Sequence, residues 1–196
     1  MKAGGQPAGQ LNAAGFEPRR DDVFARIAGR YDLLCDLFSL GMHRLWKRGM
    51  ARQMSEHPGD IVLDVASGTG DIPLRLVRRG GRPRELWVTD ISAGMLDIAK
   101  RKLKECGASL KFALRDAEKL SEVSGSSVDV YSISFGMKIC DRAGVVREAF
   151  RVLKLGGYFY CLEAARIPWG WLHQMYLAYM GWCMPLIGRI ATGGDA

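Results

Sequence analysis

From residue 61 onward, short apolar runs alternate with longer segments whose apolar positions recur every three or four residues. The runs predict strands at 61–65, 85–90, 109–113, 127–134 and 157–164, and the periodic segments predict helices at 70–79, 93–106 and 142–154. Ser92 stands before the second of these helices, where it can cap the N-terminus. Because strands and helices alternate, we expect an α/β fold, a Rossmann-like doubly wound and mostly parallel sheet with helices on both faces.

The chain before the first strand predicts helices and a tail. Residues 1–20 are rich in Gly, Ala, Gln and Pro and show no apolar periodicity, so we expect a disordered tail. A helix is expected to begin near Asp21 and Asp22, with an apolar face formed by Val23, Phe24, Ile27, Tyr31 and Leu34. A second helix is predicted from His43 to Met54, ending before Pro58. Residues 21–196 then make one domain.

The richest stretch runs from Val62 to Asp71 and reads Val-Leu-Asp-Val-Ala-Ser-Gly-Thr-Gly-Asp. An apolar strand here leads directly into a glycine turn. Gly68 and Gly70 lack a Cβ, so the backbone can turn sharply and approach a ligand closely. The next strand ends on Asp90, where a carboxylate can accept hydrogen bonds from two ribose hydroxyls. The two strand ends together predict a nucleoside site.

The residues around the turn favour a cationic ligand over a phosphorylated one. Pro73 stands where the dinucleotide fingerprint has its third glycine, and no Gly-Lys-Ser/Thr follows as in a P-loop. Asp64 and Asp71 bracket the turn and Asp90 faces it, so their carboxylates would repel a pyrophosphate. S-adenosylmethionine has a ribose, a sulfonium and an ammonium but no phosphate. It is therefore the cofactor that we expect.

The charge and the cysteine content indicate the kind of protein and its redox compartment but do not identify a binding partner. The chain is 48% hydrophobic and 25% charged, as in a soluble globular protein. Its five cysteines are scattered without a Cys-x-x-Cys pair, which fits reduced cytoplasmic thiols and no metal site. A net charge of +7 permits contact with an anionic membrane or a nucleic acid.

The segment after Arg166 is unusually apolar. Residues 167–188 contain no formally charged side chain and are dense in Trp, Tyr and Met. Two prolines, three glycines, His173 and Gln174 make a membrane-spanning helix poor. We expect residues 167–190 to form a helical lid over an apolar ligand or a helix at a membrane interface, with ordinary packing on the sheet as the alternative.

From about Val23 to its end, the chain resembles the ubiquinone/menaquinone biosynthesis C-methyltransferases, which are class I S-adenosylmethionine enzymes. One signature begins at Tyr31 and reads Tyr-Asp-Leu-Leu-Cys-Asp-Leu-Phe-Ser-Leu-Gly-Met-His-Arg-Leu-Trp-Lys-Arg. A second runs from Arg151 to Glu163 and reads Arg-Val-Leu-Lys-Leu-Gly-Gly-Tyr-Phe-Tyr-Cys-Leu-Glu. The glycine turn is common to most class I methyltransferases, whereas the first signature is far more specific.

The resemblance implies cofactor contacts for particular residues. Thr69 and the backbone of Gly68 and Gly70 would line the methionine portion, and Asp90 would hold the ribose. Asp116 and Ala117 match a segment that contacts the adenine in relatives, and Ser134 matches a polar position after the fourth strand. Asp64 completes the expected cofactor set.

This chain departs from the family pattern at several positions. Cys35 stands where relatives usually have Asn, and Leu155 replaces the usual Pro. After the fourth strand the usual Phe-Gly-x-Arg-Asn reads Phe-Gly-Met-Lys-Ile, so Lys138 replaces an arginine. Relatives also continue for several dozen residues and supply the last strands of a seven-stranded sheet, which we therefore expect to be missing here.

The expected reaction is methylation of a ring carbon of a prenylated quinol, a demethylmenaquinol or a ubiquinol precursor. A phenolate-like oxygen must then be stabilised or its proton removed, and Lys138 and His43 are the catalytic residues that we predict. We expect a peripheral contact with the inner membrane and no binding of nucleic acid. A homodimer is possible on the sequence alone. The alternatives are methylation of another small hydrophobic molecule or of a nucleic acid, and a cofactor-binding relative without activity.

Overall fold

A computed structural model describes residues 27–57, 59–106 and 109–192. The predicted tail (1–20) and the predicted start of the first helix near Asp21 lie outside these residues. The described chain contains one sheet of five parallel strands in the order β3-β2-β1-β4-β5. The strands are β1 (Ile61–Val65), β2 (Glu85–Asp90), β3 (Leu110–Leu114), β4 (Val128–Ser134) and β5 (Leu153–Leu162). The predicted parallel α/β fold is confirmed.

Six α-helices accompany this sheet in the described residues. They are α1 (Tyr31–Ser39), α2 (Met42–Glu56), α3 (Asp71–Arg78), α4 (Ala93–Leu103), α5 (Arg142–Val152) and α6 (Gly170–Thr192). A short 3-10 turn (Ala28–Arg30) precedes α1. The predicted cap of α4 is present, because the Ser92 side chain accepts from the backbone N–H of Met95. Asp141 caps α5 by accepting from the N–H groups of Ala143 and Gly144.

Alternate side chains of the central strands enter two different cores. On one face Val62, Leu86, Val88 and Val130 pack with buried residues of α2, α3 and α4. On the other face Leu63, Val65, Tyr131 and Ile133 pack with buried residues of α5 and of the segment that precedes β4. Because a parallel sheet is covered on both faces, its central strands are apolar almost throughout, as the sequence pattern indicated.

The predicted boundary between α5 and β5 was placed too late. The helix was predicted to reach residue 154 and the strand to begin at 157, but α5 ends at Val152 and β5 begins at Leu153. Leu153 has an extended backbone (φ −68°, ψ 137°) and pairs with Val128. The ladder is then irregular before Tyr158 pairs with Val130, and Gly156 lies in this irregularity at φ +80°. Periodicity could not reveal this, because long-range pairing overrides the local helical pattern.

The apolar segment after Arg166 forms α6 and rests on α1. Tyr176 and Tyr179 donate their hydroxyls to the backbone carbonyls of Phe38 and Leu37. Cys183, further along the same face, shares a small buried cluster with Leu34. Packing against the sheet, the alternative for this segment, is therefore not its main contact. In the described parts of the chain, no helix has the length and apolar character that crossing a membrane requires.

Candidate cofactor site

The glycine turn joins β1 to α3 and depends on left-handed backbone. Gly68 has φ +55° and Gly70 has φ +77°, conformations that residues with a Cβ rarely adopt. At Gly70 space is limiting too, because an added Cβ would lie 3.0 Å from the Cβ of Ala99. Backbone N–H groups of Gly68 and Ser92 donate to the two carboxylate oxygens of Asp90, each at 2.8 Å. These hydrogen bonds hold the glycine turn against the end of β2, and the ribose contact of Asp90 stays a prediction.

A small cavity of about 20 Å³ lies beside this turn. Its lining comes from the ends of β1 and β4, the glycine turn and the two N-terminal helices: Tyr31, Lys47, Asp64, Ala66, Ser67, Gly68, Thr69, Asp71, Ile72, Ser134 and Phe135. The Ser134 hydroxyl is buried there and has no hydrogen-bond partner within the described residues. An orphaned polar atom at a cavity wall is a group that a polar ligand would satisfy.

Asp64 lies at the floor of the cavity and is 1% exposed. Its carboxylate accepts a 2.5 Å hydrogen bond from the Ser132 hydroxyl on the neighbouring strand. Burial raises the pKa of Asp64 to about 6, although the hydrogen bonds from Ser132 and Ser67 and the charge of Lys47 oppose the rise. A buried acid with such a pKa at a ligand cavity is typical of functional sites.

A buried ion pair faces Asp64 across the cavity. The Lys47 ammonium on α2 lies 3.1 Å from the Asp71 carboxylate at the start of α3, and the lysine side chain is only 8% exposed. Burial tends to raise the pKa of Asp71, but Lys47 and Lys102 hold it below its usual value. Asp71, the acid predicted at the end of the glycine turn, therefore lines the cavity together with Lys47, a cation that the sequence analysis did not predict for the site.

Thr69 is buried and connects the glycine turn to α1 by a side-chain hydrogen bond. Its hydroxyl donates to Asp32 at 2.8 Å and accepts from the Lys102 ammonium at 2.9 Å. Lys102 also forms an ion pair with Asp32. These contacts hold Tyr31, the residue before Asp32, against the glycine turn, where its ring lies 4.0 Å from the position of a Cβ on Gly68. The specific signature segment thus lies directly over the turn.

The predicted adenine segment follows β3 at the same edge of the sheet. The backbone N–H of Arg115 donates to the Asp90 carbonyl at 3.0 Å, which places Asp116 close behind the second strand end. Asp116 is exposed and its carboxylate accepts from the N–H of Glu118 at 2.9 Å. Ala117 is buried in the core beneath. Neither residue lines the small cavity, so they lie beside it.

The two predicted catalytic residues also lie outside the cavity lining. The Lys138 side chain is 54% exposed and its ammonium is 3.9 Å from the Glu163 carboxylate. His43 is buried near the start of α2, where its Nδ1 is 2.8 Å from the Ser39 hydroxyl. Burial and the charge of Lys47 lower the pKa of His43, while Asp36 opposes the shift. Both assignments stay predictions, with no contact to the cavity in their favour.

The signal for Lys47 was present in the sequence. On α2 the buried residues are His43, Lys47, Met50, Ala51 and Met54, so the lysine occupies the apolar stripe at helical spacing. A lysine in such a stripe is rarely buried unless it is paired. Helical periodicity alone would therefore have marked Lys47 as a charged residue directed inward. Its partner Asp71 could not be recognised, because 24 residues separate the two along the chain.

The parallel sheet, the glycine turn and the acid at the end of β2 define a class I S-adenosylmethionine-dependent methyltransferase. Solved structures agree with this fold. An inferred methyltransferase of this type from Methanococcus maripaludis superposes with a TM-score of 0.61 at 17% identity, over 88% of this chain and 77% of that one. Phosphoethanolamine N-methyltransferase 1 from Haemonchus contortus, in complex with phosphoethanolamine and S-adenosylhomocysteine, gives 0.58 at 19% identity, over 76% and 33%.

Sequence comparison identifies the family within this class. A model of the ubiE/COQ5 methyltransferase family matches residues 14–194. The ubiquinone/menaquinone biosynthesis C-methyltransferase UbiE of Acidiphilium cryptum is 42% identical over 179 residues, which cover 89% of this chain and 71% of the relative. The protein of the same name from Rhizobium meliloti is 39% identical over 186 residues, covering 92% and 71%. The chain belongs to the ubiE/COQ5 methyltransferase family, and the predicted resemblance is confirmed.

The residues at the turn fit the cofactor of this family. Gly68 lines the cavity and would allow close approach of a ligand to its backbone, and the buried Ser134 hydroxyl lacks a partner in the described chain. Asp64 and Asp90 supply carboxylates that suit a sulfonium, an ammonium and a ribose. S-adenosylmethionine is accordingly the cofactor, as predicted.

Proposed function

We propose that the protein transfers a methyl group from S-adenosylmethionine to a ring carbon of a prenylated quinol, a demethylmenaquinol or a ubiquinol precursor. The observation that carries the proposal is the convergence of three family segments on one cavity. Tyr31 and Lys47 come from the first signature, Gly68 from the glycine turn and Ser134 from the end of β4. The relatives named as quinone biosynthesis C-methyltransferases supply the acceptor class.

Each part of the site has a task that follows from its chemistry. When bound, the cofactor supplies an electrophilic methyl group on a sulfonium. Asp90, Asp116 and Ala117 are proposed to hold its nucleoside end, and Asp64, Thr69 and Ser134 its amino acid end. The N-terminal helices, which contact the turn through Tyr31 and Asp32, are proposed to shield the bound cofactor from water and to align the acceptor. Lys138 and His43 are carried into this proposal as the predicted catalytic residues.

The experiment uses the purified full chain with methyl-labelled S-adenosylmethionine and reduced demethylmenaquinol or demethylated ubiquinol precursor. We expect label on a ring carbon of the quinol, located by mass spectrometry and NMR. Calorimetry of cofactor binding accompanies the assay, so that an inactive protein is distinguished from one that lacks the site. Cofactor binding without methylated quinol, or label transferred to RNA in place of the quinol, would contradict the proposal.

We also propose that α6 makes a peripheral contact with the membrane that holds such a quinol. Trp171, Met175 and Trp182 lie on one face of this helix and are 68%, 61% and 75% exposed. A neighbouring face of the helix packs on α1 through Tyr176 and Tyr179. An exposed face of tryptophan and methionine on a chain of net charge +7 suits an anionic lipid surface such as the inner membrane.

The membrane proposal is tested by sedimentation with anionic and zwitterionic vesicles. Replacing Trp171 and Trp182 by serine should reduce the bound fraction several-fold. Phe150→Ser provides the control, because Phe150 is 86% exposed on α5, away from this face, and should leave binding unchanged. Unchanged binding of the double variant would refute the contact. Light scattering on the same proteins tests whether this face instead joins two copies of the chain. In that case, replacing the tryptophans would convert dimers into monomers.

A further inference from the structure

We propose that Lys47 binds the oxygen of the methyl acceptor and stabilises it as a phenolate. The inference rests on the proposed quinol substrate and names a residue that acts on it directly. Its ammonium is the cation that lines the cavity in the described structure, whereas Lys138, predicted from the sequence, lies outside. An opposite charge at an acceptor oxygen favours loss of the hydroxyl proton to solvent, which makes the neighbouring ring carbon more nucleophilic.

The position of Lys47 suits an aromatic acceptor. Its ammonium lies 5.9 Å from the centroid of the Phe135 ring, and both residues line the cavity. Phe135 directly follows β4 with φ +58°, a strained conformation for a residue with a side chain. Backbone strain of this kind persists where the surrounding structure requires it and often occurs at functional sites. A quinol ring stacked on Phe135 would have its oxygens within reach of the lysine.

The ammonium retains the capacity for another hydrogen bond. Lys47 makes one hydrogen bond in the described residues, to Asp71, and an ammonium has three donors. Asp71 does not depend on this lysine alone, since Arg75 and Lys102 each have a side-chain nitrogen 3.7 Å from its carboxylate. A phenolate can therefore bind Lys47 without leaving Asp71 as an unpaired buried charge.

The charges around the cavity also favour an anion once the cofactor is present. Four acids, Asp32, Asp64, Asp71 and Asp90, lie near three bases, Lys47, Arg75 and Lys102. S-adenosylmethionine adds a net positive charge, because its sulfonium and ammonium outweigh its carboxylate. This positive charge beside the acceptor, together with that of Lys47, favours the phenolate over the neutral hydroxyl.

Other titratable groups near Lys47 enter any pH measurement on it. The lysine charge acts on the Cys35 thiol, the His43 imidazole and the carboxylates of Asp64 and Asp71. Burial raises the pKa of Cys35, with Lys47 opposing the rise. A readout on the ligand itself avoids these overlapping titrations, so the test follows a bound phenol.

The probe is 4-nitrophenol, whose phenolate absorbs visible light and reports its own ionisation. Its bound pKa is measured by spectrophotometric titration in the wild type, Lys47→Met, Lys47→Arg and Lys138→Met. We expect Lys47→Met to raise the pKa of the bound phenol by about one unit or more and Lys47→Arg to restore most of the shift. A raised pKa of the bound phenol in Lys138→Met with none in Lys47→Met would assign the role to Lys138 and overturn the inference. The exposed neighbour on the same helix provides the matched charge control, Arg48→Met.

Equal pKa values of the bound phenol in the wild type and Lys47→Met would overturn the inference. A wild type that does not bind 4-nitrophenol would overturn it as well. Thermal unfolding confirms that the variants are folded. Should Lys47→Met unfold, a shift of the Lys47 side-chain ¹⁵N resonance in wild type on adding 4-nitrophenol supports the contact, and its absence refutes it. Failure of quinol methylation by the wild type contradicts the proposed function, whereas a normal wild type with an unaffected Lys47→Met contradicts only this assignment.

Discussion

Asp64 makes the protein less stable at neutral pH than it would be with a neutral side chain. Its pKa rises from 3.8 to about 6 in the folded chain, chiefly through burial. An acid with a raised native pKa binds protons more tightly when folded. Its contribution to stability is therefore complete below pH 4 and is lost as the pH rises through 6. The substitution Asp64→Asn replaces the carboxylate by a neutral group of similar shape and removes this dependence.

The size of the effect follows from the shift. A change of roughly two pKa units corresponds to about 3 kcal/mol, at about 1.4 kcal/mol per unit. We expect Asp64→Asn to be more stable than the wild type by up to about 3 kcal/mol at pH 7 and by much less at pH 4. The amide oxygen can still accept from the Ser132 hydroxyl, so the hydrogen bond need not be lost.

Urea unfolding at intervals from pH 4 to pH 8 measures the difference between the two proteins. The other acids contribute equally to the unfolding free energies of the wild type and Asp64→Asn, so their contributions cancel in the difference between the two proteins. Asp97→Asn serves as a control, because that side chain is 64% exposed and should give a constant difference near zero. If the advantage of Asp64→Asn is the same at pH 4 and pH 7, the argument from burial is wrong. We expect the same variant to bind the cofactor at least tenfold less tightly by calorimetry, as stability at such a site is exchanged for function.

Three further predictions concern the elements that build the site, each measured by urea unfolding. Gly70→Ala should destabilise the protein by about 1–3 kcal/mol, because Gly70 has a left-handed backbone and an added Cβ would lie 3.0 Å from Ala99. The control Gly49→Ala, with open space on α2, should stabilise it by up to about 1 kcal/mol. Equal effects of the two substitutions would contradict the argument. Ser132→Ala should lower stability by about 1–3 kcal/mol at pH 7 and by less at pH 4, since a protonated Asp64 tolerates loss of the donor; a pH-independent effect would refute this. Asp141→Ala should reduce stability by about 1 kcal/mol through loss of the α5 cap, and a neutral result would show that the cap contributes nothing.

Most of the sheet followed from short-range patterns. The first strand was predicted at its observed bounds, and the helix after Ser92 began where expected, because apolar runs and caps are local signals. That helix ended at Leu103, three residues before its predicted end, and β3 was displaced by one residue. Such differences arise because fraying and strand pairing depend on neighbours that are distant in sequence.

The sequence by itself determined the class of ligand. The glycines of the turn and the acids at Asp64, Asp71 and Asp90 are adjacent to predicted strand ends, and parallel strands bring those ends to one edge. Only the tertiary structure decided which cation lies in the cavity. Lys47 comes from a helix that precedes the sheet, and its burial against Asp71 and Phe135 depends on how that helix packs. Lys138, which the sequence predicts as catalytic, lies in the turn after β4, where its ammonium extends toward Glu163 and solvent, and its role stays a prediction.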